Sequence, residues 1–221
     1  LISLHDYIEI NNNFIKSFHL SPLKEYSGEA LAQYSAQKIP YRTLTQIRGH
    51  FAAKKLALIT DNQGNPILDK AMLDLYQQYK AQGKTYLTSQ DLQLHFNHYF
   101  GEQWQPNFDI INSGGQIQWS PTAFFPKAQI KQSTVSAPDY HFNIQKFLEE
   151  DIIADLAPNS AEYKAGLRNG QKVIDFDAFL FNTKKRKITI VVEENSKMKD
   201  IKFIPRTKIT KVPQYQLVKL D

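Results

Sequence analysis

The chain has 221 residues, of which 42% are hydrophobic and 12% aromatic, enough for one large or two modest folded domains. It has no cysteine, which excludes disulfides, thiol nucleophiles and cysteine-type zinc sites. The net charge of +5 lies entirely in the second half: residues 1–120 carry 10 Lys/Arg and 10 Asp/Glu, residues 121–221 carry 17 and 12.

No apolar run approaches the roughly 20 residues needed to cross a bilayer. The sequence starts at Leu1, with no signal-peptide pattern, and reads as a piece of a longer polypeptide. Its compartment is left open between cytoplasm and periplasm.

Helical signals fill the first half. Ser3-Leu4-His5-Asp6 is a capping-box pattern that opens a helix bearing Leu4, Ile8, Ile15 and Phe18. Pro22 breaks it, and Ser27 caps a short helix with Ala30, Leu31 and Tyr34. The next helix is expected over about Gln46 to Ile59, burying Phe51, Leu56 and Ile59. Asp61–Asn65 is a turn, and Pro66 suits the start of a helix with Leu68, Met72, Leu75 and Tyr79 on one face, ended by Gly83. Thr88 caps a last helix, with Leu92, Phe96 and Tyr99 buried and Gly101 as its stop.

After Pro106 the pattern changes. Ile110-Ile111, Ser113-Gly114-Gly115, Ile117 and Trp119 suggest a hairpin or a closing strand pair. A proline-bearing linker follows, and then short strands are expected at Ile152–Leu156, Lys172–Phe176, Ile188–Val192 and Ile201–Ile204. The expected fold class is multi-domain α + β: an N-terminal all-α helical domain (1–119), a linker (120–139) and a small β-rich domain (140–221).

The basic run Lys184-Lys185-Arg186-Lys187 has no interleaved aromatic residue, so it reads as a solvated loop beside a sheet edge rather than a nucleic-acid site. His95 and His98 share a helix face with Glu102 a turn further on, a spacing that can hold a metal but more often reflects surface histidines.

The most specific stretch runs from Ile152 to Ile174, with Pro158-Asn159-Ser160-Ala161, then Ala165-Gly166-Leu167 and Gly170-Gln171-Lys172-Val173-Ile174. It resembles the PDZ domain. In this reading Ser160 caps a one-turn helix, Gly166 supplies a left-handed residue and Leu167 enters the core. Gln171 stands where the family has Asp, which would weaken one turn contact. PDZ domains bind peptides by strand addition. The resemblance puts the peptide-binding segment at Tyr140, Phe142, Asn143 and Ile144, around His141, with no glycine among them.

The first half fits a larger resemblance. Ser3–Ile8, Ser21-Pro22-Leu23, Pro40-Tyr41, Arg48-Gly49-His50-Phe51, Ile67–Met72 and Leu87–Leu92 together resemble the part after the zinc site of glycyl-aminopeptidase-like metallopeptidases. These are gluzincins related to aminopeptidase N that carry a C-terminal PDZ domain. The resemblance implies peptide hydrolysis by zinc-activated water in the intact protein, with the helices forming part of the substrate cleft and the PDZ-like domain shaping access or binding peptide.

It also implies cleft roles for Tyr41, Gln46 and Arg48. The family pattern Pro-Tyr-x-Arg-Gly places an oxyanion-stabilising Tyr before Arg-Gly, whereas here six residues separate Tyr41 from Arg48, and Gln46 stands three before Gly49. The zinc motif, His-Glu-x-x-His, is absent from the 221 residues, so no metal ligand is expected in this chain and zinc belongs to an upstream part of the same polypeptide. The expected partners are that upstream part and a peptide or protein substrate, with no nucleic acid and no membrane. The alternative reading is a non-catalytic peptide-binding module derived from the family.

Overall fold

The computed structural model describes residues 3–101, 104–113, 128–177 and 187–217. An N-terminal helical part precedes a strand-rich C-terminal part with antiparallel pairing. The chain forms two compact units, one comprising residues 23–128 and the other residues 1–22 with 129–221.

The helical unit contains α2 (Gly28–Ser35), α3 (Ile39–Leu56), α4 (Ile67–Ala81), α5 (Ser89–Phe100) and α6 (Gln105–Ser113). The caps follow the sequence. The Ser27 hydroxyl accepts from the Ala30 N–H at 3.1 Å, and Thr88 with Asp91 forms a reciprocal capping box. Helix α3 starts earlier than its apolar spacing suggests, because Pro40 in the first turn has no N–H to leave unsatisfied.

Helix α4 ends in a Schellman motif: Gly83, at φ 63°, donates to the Lys80 carbonyl and Lys84 to that of Tyr79. One core gathers Leu56, Ala71, Phe96, Phe100 and Trp104, with the Trp104 ring edge-on to Phe96 at 5.0 Å.

Two details depart from the sequence reading. Met72, expected on the buried face of α4, is 48% exposed, and Ala71 and Leu75 hold the inner face instead. Ile110 and Ile111, expected in a hairpin, belong to α6; Pro106 sits in its first turn and Gln105 donates to Asp109 one turn on at 2.8 Å. Residues 114–127, including Ile117 and Trp119, lie outside the described residues.

The turn before α4 is built on Asp61. One carboxylate oxygen accepts the N–H groups of Gln63 (2.8 Å) and Asn65 (2.9 Å). These bonds, led by the one from Asn65, hold the Asp61 pKa below its ordinary value. A depressed folded-state pKa stabilises the fold above the unfolded value, and that share is lost as pH falls through the folded one. Asp61→Asn should therefore lower the melting temperature at pH 7, and the gap to wild type should narrow at about pH 3, below the ordinary carboxylate pKa. Melting curves at both pH values check this; a gap that stays constant would refute it.

The second unit holds α1 (Leu4–Leu20), β1 (Ala128–Asp139), α7 (Ile144–Glu149), α8 (Ala161–Ala165), β2 (Lys172–Phe176), β3 (Ile188–Glu194), β4 (Lys197–Phe203) and β5 (Arg206–Leu217). Strands β2, β3 and β4 form one antiparallel sheet, and β1 pairs with β5.

Helix α1 packs on β5 through Asn12. Its amide donates to the Tyr215 carbonyl at 2.8 Å and accepts the Tyr215 N–H at 2.7 Å, as a neighbouring strand would. The β3–β4 turn has Asn195 and Ser196 at φ 52° and 59°, the left-handed pair that matches strand twist in a two-residue hairpin. Ile188, Ile190, Val192, Ile201 and Phe203 turn inward, and α8 packs against β4.

The strand expected at Ile152–Leu156 is not formed. Asp151 and Asp155 have φ of 55° and 53°, so the backbone bends at both ends and keeps only an isolated bridge from Ile152 to Lys172. Conversely, β1 falls entirely in the expected linker, and β5 was not expected. β1 is rich in Ser, Thr and Gln and lacks the apolar alternation that marks a strand.

Candidate functional site

Three places collect the residues that the sequence points to. The first is helix α3. Tyr41 and Arg48 lie two turns apart on its inner face, with exposures of 0% and 3%. The Tyr41 ring packs against Tyr34 (5.0 Å between centroids) and edge-on to Tyr26 (6.1 Å). The Arg48 guanidinium donates to the carbonyls of Tyr26 at 2.6 Å and Lys24 at 2.7 Å, pinning the turn after Leu23. Burial lowers the Arg48 pKa, and Glu25 acts in the opposite direction. Gln46 lies on the exposed outer face, so α3 brings Tyr41 and Arg48 together and separates Gln46 from them. A Cβ at Gly49 would meet nothing within 4 Å.

The second place is the segment 140–144 with the turn and short helix at 158–167. The Ser160 hydroxyl accepts from the Tyr163 N–H at 3.1 Å and caps α8. Gly166 ends that helix at φ 112°, donating to Tyr163 while Leu167 donates to Glu162, and Leu167 is fully buried. Gln171 does not weaken the turn: its Oε1 accepts the Arg168 N–H at 2.8 Å.

In the 140–144 segment the main chain is already engaged. Asn143 donates to the Ala154 carbonyl at 2.7 Å, and His141 donates to Glu162 Oε1 at 3.4 Å. The Asn143 side chain caps α7 by accepting from Lys146, and Ile144 begins that helix. Phe142 is buried against Phe147, while Tyr140 packs between Phe142 and Phe203. The sequence gave no hint of Glu162, a fully buried carboxylate with His141 Nδ1 3.6 Å from its Oε2.

The third place is a cleft of about 410 Å³ between α4 and α5, lined by Leu75, Tyr79, Lys84, Asp91, His95 and His98 among others. His95 is buried, and its Nε2 donates to the Ala71 carbonyl at 2.7 Å, whereas His98 is exposed. Asp91 Oδ2 accepts from the Thr88 hydroxyl and N–H, and the Thr88 hydroxyl, then the Tyr79 hydroxyl, hold the Asp91 pKa below the ordinary carboxylate range, with Lys84 adding to the effect. Loss of solvent, followed by the Asp91 carboxylate, pushes the Tyr79 pKa up to about 12, so the phenol stays protonated at neutral pH. Lys84 Nζ stands 5.2 Å from the centre of the Tyr79 ring. His95 and His98 were legible as a pair in the sequence; the cleft was not, because Tyr79 and Lys84 come from another helix and its C-terminal turn.

Among the described residues no group of three or more His, Asp or Glu could hold a metal ion. Lys184, Lys185 and Arg186 lie outside the described residues. No described helix is long and apolar enough to cross a membrane.

Neither the protein-family models nor the curated proteins contain a match to this chain.

Proposed function

We propose that this chain is the peptide-recognising, non-catalytic C-terminal part of a protein of the glycyl-aminopeptidase-like metallopeptidase type, with hydrolysis residing in a zinc centre outside these residues. The observation that carries the reading is the Ser160–Leu167 turn: a capped one-turn helix, closed by a glycine at φ 112° and packed on β4, is what the PDZ resemblance requires of that stretch. Among the described residues β4 has a strand partner on one side only, and an extended peptide adds to such an edge through main-chain hydrogen bonds. The non-catalytic assignment draws on α3, where Tyr41 is packed among aromatic rings and Arg48 is spent on two backbone carbonyls.

The test uses the polypeptide that includes the segment encoded ahead of Leu1, loaded with zinc and assayed for aminopeptidase turnover with and without a chelator. Tyr41→Phe is expected to leave any chelator-sensitive turnover within about threefold, because loss of an oxyanion donor would instead cost about 10²–10³ in kcat. A loss of that size would return Tyr41 to catalysis and overturn the assignment. Peptide recognition is checked separately, by titrating the 221-residue chain with a library of extended peptides. Saturable binding that perturbs β4 and α8 resonances supports it; no binding across the library rejects it.

A further inference from the structure

The α4–α5 cleft contains none of Tyr41, Gln46 and Arg48, the residues expected in the peptidase cleft. Its volume of about 410 Å³ falls at the small end of the roughly 300–1,000 Å³ typical of small-molecule sites. Its walls offer one carboxylate, one ammonium, two imidazoles, a phenol and the amides of Gln78 and Gln82.

The bond to Ala71 sets the tautomer of a neutral His95: a carbonyl can only accept, so Nε2 carries the proton and Nδ1 of the neutral ring keeps a lone pair. No described group hydrogen-bonds to that second nitrogen. The ring is wedged against Tyr99 (5.1 Å) and Phe96 (6.3 Å) and cannot readily turn away. Asp91 is fixed by its capping box through Oδ2, and its carboxylate also takes the Tyr79 hydroxyl. Lys84 is placed by the Schellman turn at Gly83, which sets its stem beside Tyr79. The cleft therefore has an acceptor side, Asp91 with His95, and a donor side, Lys84 with His98.

A lone anion would meet Asp91, a lone cation would meet Lys84, and a divalent metal would lack a third ligand among the described residues. A molecule with both charges a few ångströms apart satisfies both sides. We propose that the cleft between α4 and α5 binds a small zwitterion of the α-amino acid type, a free amino acid or a dipeptide, with its ammonium on Asp91 and His95 Nδ1 and its carboxylate on Lys84 and His98. Leu75 and Leu94 form the apolar part of the wall.

The proposal holds or fails on this chain alone, whatever the activity of a longer polypeptide. The experiment titrates the 221-residue chain with L-alanine, L-alanyl-L-alanine, its N-acetyl form and its C-terminal amide, following imidazole and backbone resonances. The expected result is saturable shifts at His95, His98 and Tyr79 with the zwitterions, weakened about tenfold or more when either charge is blocked. Whichever of alanine and alanylalanine binds more tightly identifies the source.

Lys84→Met should abolish the preference for a free carboxylate while keeping that for a free ammonium, and Asp91→Asn should do the reverse. A spectrum matching wild type away from the cleft certifies the fold of each variant. No saturation by about 20 mM of either zwitterion, equal binding of the blocked forms, or unchanged preferences in both variants would each overturn the proposal.

Discussion

Arg48→Met should lower the unfolding free energy of the helical unit by about 3 kcal/mol or more, although methionine matches much of the arginine stem in length. The buried guanidinium supplies charge-assisted bonds to the Tyr26 and Lys24 carbonyls, at 2.6 and 2.7 Å, across more than twenty residues of chain. Hydrogen bonds from charged groups contribute roughly 1.5–3 kcal/mol each, and both acceptors would lose a donor in a place that water reaches poorly. Arg48→Lys should recover less than half of the loss, because an ammonium cannot span two carbonyls in the fork geometry of a guanidinium. Urea unfolding of the three proteins decides it. A loss below about 1 kcal/mol for methionine, or full recovery by lysine, would show that the turn after Leu23 is held by something else.

The second large effect is expected at Gly166. Its φ of 112° lies outside the regions that residues with a Cβ adopt, while a Cβ built there would meet only Ile201 Cδ1, at an ordinary 3.9 Å. The cost of substitution is therefore backbone strain rather than collision. Gly166→Ala should destabilise the strand-rich unit by about 1–2 kcal/mol and Gly166→Val by about 2–3 kcal/mol, the branched side chain tolerating positive φ least. Amide exchange should rise first at Leu167, whose N–H closes the turn onto Glu162. Wild-type stability in the valine variant would mean that the turn relaxes into another conformation. The support that this stretch lends to the proposed peptide-recognition role would then fall with it.

The two positions differ in what the sequence says of them. Gly166 was legible because a cap, one helical turn and a left-handed stop are all encoded within seven consecutive residues. The same holds for Ser27, Thr88, Pro66 and Gly83, whose hydrogen bonds reach no further than the next turn. Strands β2 and β3 were legible for a related reason, each carrying inward-facing branched or aromatic residues in a short run; of β4 only the end from Ile201 to Phe203 was, because Lys197–Asp200 are polar and exposed.

Arg48 was noticed for its place beside Gly49, and nothing in that dipeptide reveals two carbonyls more than twenty residues earlier. Among the described residues β1 pairs only with β5, some seventy residues away, so its polar sequence has no local pattern to betray it. Ile152–Leu156 errs the other way: its composition suits a strand, but Asp151 and Asp155 take left-handed backbone angles that the surrounding turn and bridge impose.

What the sequence determined by itself was the class of each half, most helix boundaries and the geometry of the turns, because those follow from propensity and hydrogen bonds among near neighbours. Only the tertiary structure decided that α1 packs on β5 through Asn12 and that Tyr41 and Arg48 face inward while Gln46 faces out. It also decided that Asp91, His95, Tyr79 and Lys84 share a cleft. Each of these depends on a contact between distant segments, and such contacts are selected by packing of the whole chain, which a local pattern does not encode.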